Sequence, residues 1–323
     1  MLYRTLGKTG LRVSEIGIGT WAIGGPVEYR DRPGGWGSVN DDESIKAIRV
    51  ALELGVNFID TADIYGLGRS EEVIGKALKG RWSDCYIATK VGYKKTTEGD
   101  RGRDLSKDHI LESVEGSLKR LRKEIIDVYQ LHSPSLEEIQ RERCFETMER
   151  LRDEGKIRFW GVSVRCVDDA VKLMQRGYPG DTIQVVYNLL KHEAAKELFP
   201  LTLQNEIGVI VRVPFEFGLL TGKFTPETKF PSNDHRSKNL PRSKLIEEIP
   251  KVEKLKFLVK RSNRTMAQAA LKFVLNHPAV SVTIPGVRNE KQVRENVIAY
   301  DRILLNQEDL DKIKDLHENN FYL

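Results

Sequence analysis

A closed barrel of eight parallel strands, each followed by helical sequence, is the fold this chain predicts. Two observations carry the expectation. Eight short apolar runs alternate with segments whose apolar residues recur at helical spacing. Several of those runs show no polar alternation, as expected of strands buried on both faces. Repeated right-handed crossovers of this kind close into a (β/α)8 barrel. The 323 residues suit a single barrel domain over 1–323, with an N-terminal β-hairpin capping the bottom and extra C-terminal helices. The rival is an open doubly wound sheet, which would place Gly-x-Gly-x-x-Gly after its first strand. Gly17-Ile18-Gly19 supplies half of that pattern, but Ala22 stands where the third glycine is needed and no helix begins there.

Each element has a local reason. Tyr3-Arg4-Thr5-Leu6 and Leu11-Arg12-Val13 flank the turn-type sequence Gly7-Lys8-Thr9-Gly10, which predicts the hairpin. The strand Glu15 to Trp21 leaves through glycines into a long loop over 24–40, whose length marks it as functional. Asp41 or Asp42 is placed to cap a helix carrying Ile45, Ile48, Ala51 and Leu52, and Gly55 ends it. The strand to Asp60 follows, then a helix after Ser70, the strand to Lys90 and a polar loop over 93–105. Ser106 caps a third helix, which leads to the strand ending at His132. Helices are then expected over about 135–153, 167–176, 192–205, 244–261, 265–276 and 307–318, with one more opened by Asn289. The remaining strands are 159–163, 182–186, 208–212 and 280–286.

Composition narrows the function. The net charge of +5 is small for this length, and both signs are interspersed, so no nucleic-acid partner is inferred. No apolar stretch approaches the roughly 20 residues of a membrane span, and no signal pattern opens the chain. Cys85, Cys144 and Cys166 are too scattered for a metal or disulfide framework, which points to the cytoplasm. The six histidines show no paired ligand spacing, so no metal site is expected.

The chemistry gathers at strand ends. Asp60, Tyr65, Lys90 and His132 each stand at or just past the end of an apolar run. In a parallel barrel those positions share one rim, where active sites lie. Singly, each residue has an ordinary explanation as a cap or a solvated side chain. As a set they form a specific signal.

With these residues the chain resembles the aldo-keto reductases over nearly its whole length. The likeness rests on Gly7-Lys8-Thr9-Gly10-Leu11, on NFIDTADIYGLGRSEEVIGKAL at 57–78, and on Thr89-Lys90. It continues through Leu131-His132-Ser133-Pro134, Gly161-Val162-Ser163, QVVYN at 184–188, GLLTGK at 218–223 and IPG at 284–286. The resemblance implies NADPH-dependent reduction of aldehydes or ketones, with Asp60, Tyr65, Lys90 and His132 as the catalytic tetrad. A free phenol titrates near ~10. The Lys90 ammonium would favour the phenolate of Tyr65, the general acid. Asp60 would hold Lys90 charged, and His132 would hydrogen-bond the carbonyl oxygen. The substrate is expected to be a small carbonyl compound chosen by loops 24–40, 93–105 and 224–242, with Trp21, Trp36 and Tyr93 as pocket walls. Oligomeric state is left open.

The resemblance also implies how NADPH is held. Ser163 and Gln184 match residues that grip the nicotinamide, with Gly19, Thr20, Trp21 and Asp60 nearby. Pro214, Phe215, Gly218, Leu219 and Lys223 match a loop over the pyrophosphate. Gly286 and Arg288 open a helix suited to phosphate, with Arg288 on the ribose 2′-phosphate and Gln292, Glu295 and Asn296 at the adenine end. Two positions depart from the family pattern. Val164 stands where an asparagine is frequent, and Arg212 where an aromatic ring often stacks on the nicotinamide. Oxidised nicotinamide is cationic, so Arg212 is expected to disfavour it relative to the reduced form. The alternative reading is an NADPH-binding regulatory subunit resembling potassium-channel β-subunits, although no long N-terminal docking segment is seen. A Schiff-base role for Lys90 would not need Tyr65 or the cofactor elements.

Overall fold

The computed structural model describes residues 1–260, 264–298 and 305–323. Eight parallel strands stand in barrel order: Ile18–Gly19, Phe58–Asp60, Tyr86–Val91, Ile126–His132, Ile157–Ser163, Thr182–Val186, Gly208–Arg212 and Val280–Thr283. The ring closes through parallel bridges from Ile16 to Thr283 and from Gly19 to Gly286. Those bridges carry the bonds Gly17 N–H to Thr283 O (2.8 Å) and Gly19 N–H to Pro285 O (3.0 Å). Neighbouring strands approach closely at Gly161. A Cβ there would lie 2.1 Å from Thr182 Oγ1, so only glycine fits.

Alternation along the strands sorts the side chains. Phe58, Ala88, Val128, Ile210 and Val282 point into the lower barrel, where they meet Leu6, Leu11 and Val13 of the N-terminal hairpin. Their neighbours in sequence, including Ile59, Ile87, Tyr129, Val209 and Val211, face the helical shell instead. The hairpin strands Tyr3–Thr5 and Arg12–Ser14 therefore plug the bottom, as the sequence predicts. Arg4 fastens the plug. Its guanidinium donates to the carbonyls of Leu275, His277 and Val280 and pairs with Glu15.

The first helix is Asp41–Glu53, and its cap is Asn40 rather than Asp41 or Asp42. Asn40 has extended backbone and accepts from Glu43 N–H, leaving both acids in the first turn where they favour the helix dipole. The helix expected after Ser70 is Arg69–Ala77. Ser70 lies inside it, with its hydroxyl bonded to Thr20 and Thr61. Ser106 caps Lys107–Leu121 as expected.

Three expected helices are broken. The 135–153 segment forms Leu136–Arg141 and Cys144–Asp153, because Arg143 takes a left-handed conformation between them. The 192–205 segment forms Glu193–Glu197 and Phe199–Gln204, with Pro200 at the start of the second piece, where its missing N–H costs least. The 244–261 segment forms Arg242–Lys254 and Phe257–Lys260, and its expected last residue, Arg261, lies outside the described residues. Helices Met266–Asn276, Glu290–Val297 and Gln307–Glu318 match their expected positions. Arg242–Lys254 and Gln307–Glu318 add to the shell of helices that follow the strands. The polar loop over 93–105 is a β-hairpin of Tyr93–Lys95 and Arg101–Arg103.

Candidate active site and cofactor cleft

At the strands' C-terminal ends the inward positions become polar. One residue pair beyond Phe58 and Ala88 stand Asp60 and Lys90, and beyond Val128 stand Gln130 and then His132. Lys90 is fully buried and donates to Asp60 Oδ1 at 2.5 Å and to Thr61 O at 2.7 Å. Burial opposes its charge, but Asp60 and Tyr65 outweigh that penalty and raise its pKa. The ammonium is thereby held protonated, 5.1 Å from the centre of the Tyr65 ring.

The second oxygen of Asp60 accepts from Gln184 Nε2 at 2.7 Å and from Gln130 Nε2 at 3.2 Å, while Ser163 Oγ donates to Gln184 Oε1 at 3.2 Å. Four strands are thus linked across the barrel by a buried polar network. Gln130 completes it and was absent from the sequence-derived set. The available signal was the one that marked Gln184, an amide inside an apolar strand.

His132 is buried and packs edge-on against Tyr65 (5.9 Å between ring centres) and Tyr93 (4.8 Å). Burial, then the positive charges of Lys90, Arg101, Arg212 and Arg103, hold its pKa well below the ordinary histidine value. The ring is neutral near pH 7, and its Nδ1 has no partner.

A cavity of about 520 Å³ runs from this corner toward the helix Glu290–Val297, within the usual range for a cofactor or drug-sized ligand. All but one of the sequence-derived cofactor residues line it: Gly19, Thr20, Trp21, Asp60, Ser163, Gln184, Arg212, Pro214, Phe215, Gly218, Lys223, Gly286, Arg288, Gln292, Glu295 and Asn296. Leu219 does not; its side chain is 1 % exposed and packs in the core beneath the loop. Tyr65, His132, Trp36 and Tyr93 line the cavity too, whereas Lys90 lies behind the wall. Loop residues that the sequence did not single out complete the far half, among them Phe217, Phe224 and Arg236. His235 packs behind them, with its ring 4.4 Å from Trp21 and 4.6 Å from Trp36.

The loop after the seventh strand is strained. Val213, Glu216 and Phe217 all have positive φ, a conformation that costs non-glycine residues roughly 1–3 kcal/mol each. Buried Glu216 fixes it by accepting from Asn188 (2.9 Å) and Lys191 (2.8 Å), while Asn188 also donates to Val213 O.

The donor set fits a nicotinamide dinucleotide phosphate. Lys223, Arg236 and Arg288 supply cations at one end of the cavity. Burial, then Arg236, lowers the Arg288 pKa despite Asp234, so an anion there would relieve two crowded guanidiniums. Asn296 Nδ2 and Arg212 Nε are buried donors without partners. At Gly286 a Cβ would extend into open cavity, its nearest neighbour 4.0 Å away. The helix start behind Arg288 is less available than expected. Asn289 already accepts from Gln292 N–H, and the Gln292 side chain from Arg288 N–H, so side-chain cations are left to meet phosphate. The Arg288 side chain donates to the Trp36 carbonyl.

A sequence model of the Aldo/keto reductase family matches residues 15–318. The chain belongs to the aldo/keto reductase family. As an aldo/keto reductase it is an NADP-dependent oxidoreductase acting on carbonyl groups. It is 34 % identical to the aldo-keto reductase YhdN of Bacillus subtilis, over 99 % of this chain and 94 % of that protein. It is 32 % identical to a probable voltage-gated potassium channel subunit beta of Oryza sativa, over 97 % of this chain and 96 % of that one. Among solved structures, an aldo/keto reductase from Klebsiella pneumoniae in complex with NADP and acetate is similar with a TM-score of 0.73. The identity there is 26 %, covering 98 % of this chain and 96 % of the other. Among the described residues no helix is long and apolar enough to cross a membrane, and no group of three or more His, Cys, Asp or Glu is placed to hold a metal ion.

Proposed function

We propose that this reductase converts an aldehyde or ketone to its alcohol with Tyr65 as the proton donor. The observation that carries the reading is the buried Lys90 ammonium, locked to Asp60 and placed against the Tyr65 ring. Bound NADPH supplies the hydride. Tyr65 protonates the carbonyl oxygen as charge develops there, and Lys90 stabilises the phenolate left behind. Asp60 keeps Lys90 ionised and fixed, while the amides of Gln130 and Gln184 donate to the second oxygen of Asp60 and hold it in place. Neutral His132 offers an N–H to the same oxygen and orients the substrate. Trp21, stacked on Tyr65 at 6.0 Å, and Trp36 and Tyr93 close the pocket to water. Ser163 and Arg212 meet the nicotinamide end; Lys223, Arg236 and Arg288 meet the phosphates. Positioned proton donation of this kind is worth about 10²–10⁴ in rate.

Cys85, Cys144 and Cys166 are all free thiols, which supports a reducing, cytoplasmic setting. The likeness to a channel β-subunit favours a second reading, an NADPH-binding regulatory subunit. A spectrophotometric screen separates the two. NADPH oxidation in the presence of simple aldehydes, ketones, sugars and keto-esters is expected for the enzyme. Tight NADPH binding with no carbonyl reduced would favour the regulatory subunit.

A further inference from the structure

The catalytic end of the cavity carries more positive charge than the reaction requires. Two carboxylates line the cavity, and both are engaged: Asp60 by Lys90, and Glu295, at the far end, beside Lys223 at 3.9 Å. Arg212 and Arg101 line the same cavity, and neither pairs with a carboxylate among the described residues. Arg212 is tethered. Its guanidinium donates to Val164 O at 3.0 Å and lies by Ser163 and Gln184, the wall assigned to the nicotinamide.

Arg101 stands on the opposite wall. Its hairpin leaves the third strand two residues after Lys90, turning at Gly92, whose φ of +134° only glycine takes readily. Tyr93 opens the hairpin with its ring 4.8 Å from His132, and the Arg101 guanidinium stacks on that ring at 3.9 Å. One aromatic ring thus separates Arg101 from the histidine that faces the carbonyl. Three other basic residues nearby have acidic partners: Arg103 with Glu138, Lys94 with Asp104, and Arg30 with Asp100. Arg101 Nε is buried and unpartnered. The half-buried guanidinium reaches the cavity, and its planar fork suits a carboxylate or phosphate.

We propose that Arg101 receives an anionic group carried by the substrate, so that the preferred substrates are oxo acids or phosphorylated aldehydes. The inference rests on the reductase reading. The anion is a spectator in the chemistry. It fixes which carbonyl carbon faces the hydride while the oxygen rests against Tyr65 and His132.

The test uses matched pairs: succinic semialdehyde against butanal for a carboxylate, and glyceraldehyde 3-phosphate against glyceraldehyde for a phosphate. The wild type is expected to favour the anionic member of at least one pair roughly 10- to 100-fold in kcat/KM, as expected for a hydrogen-bonded charge pair. The favoured pair identifies the anion. Arg101→Gln is expected to erase that preference chiefly through KM, and Arg101→Lys to restore part of it, since the charge returns without the fork. Calorimetric binding of 4-hydroxybutyrate gives a readout independent of turnover and should weaken at least tenfold in Arg101→Gln. Equal use of both members of each pair by the wild type, or a preference unmoved by Arg101→Gln, overturns the inference. If no carbonyl at all is reduced, the reductase reading fails instead, while the calorimetric arm still decides whether Arg101 binds the anion.

Discussion

At the bottom of the barrel Phe58, Ala88, Val128 and Ile210 meet Leu6 and Leu11 of the hairpin. Two residues further along the same strands stand Asp60, Lys90, Gln130 and Arg212. One register therefore builds two opposite environments. The lower one is dry and stabilises by packing. The upper one is polar and borders the cavity, so each buried group there depends on a specific partner. Stability and chemistry divide along the strand axis, and mutations at the two ends should fail in different ways.

The sharpest break is Lys90→Met. Removing the ammonium leaves buried Asp60 without its counter-charge, which costs about 3–5 kcal/mol, and turnover should be lost as well. The double variant Asp60→Asn/Lys90→Met should regain most of the stability in urea unfolding but none of the activity. Recovery of activity would show that the ion pair is structural only. At the other end, Leu6→Ala deletes a fully buried plug residue and should cost about 2–5 kcal/mol. Below its melting temperature that variant should retain wild-type kcat; a large loss of kcat would mean that the two ends are coupled.

Acid should unsettle the polar end and the outer shell. Burial pushes the His192 pKa down to about 3 and that of His235 to about 4, and His132 lies well below its usual value. The unfolded chain takes up protons below ~6.5 that the folded histidines refuse, so stability is lost as pH falls below that value. At pH 5 each such histidine contributes up to about 2 kcal/mol of destabilisation. Melting curves at pH 7 and 5 should separate in the wild type and draw closer in His192→Gln.

The smallest expected effect concerns Arg212. Its guanidinium is held by Val164 O, and on the proposed reading it would repel the cationic oxidised nicotinamide. Arg212→Ala should shift the ratio of NADP⁺ to NADPH dissociation constants several-fold in favour of NADP⁺. An unchanged ratio would remove Arg212 from that role.

The same periodicity explains what could be read from the sequence. Asp60, Lys90, His132, Ser163, Gln184 and Arg212 sit near the ends of apolar runs, and strand alternation turns them inward together. Gln130 was equally legible, as an amide inside an apolar strand like Gln184. Arg101, Phe217, His235 and Arg236 come from loops without a repeating pattern. Their arrival in the cavity depends on hairpin register and on the strained turn at 213–217, which no local rule encodes. Helix breaks at Arg143 and before Pro200 were obscured for a related reason, since the apolar spacing continues across them. At the first helix, three adjacent polar residues could cap, and backbone geometry chose Asn40.

The pairing of the Tyr65 phenol with the buried Lys90 ammonium is the centre of this account, and Tyr65→Phe tests it most directly. The variant removes a single oxygen. With a carbonyl substrate found in the screen, kcat should fall about 10²–10⁴-fold, while the NADPH dissociation constant, read by fluorescence, stays within a few-fold of wild type. Turnover close to wild type in Tyr65→Phe would contradict the account.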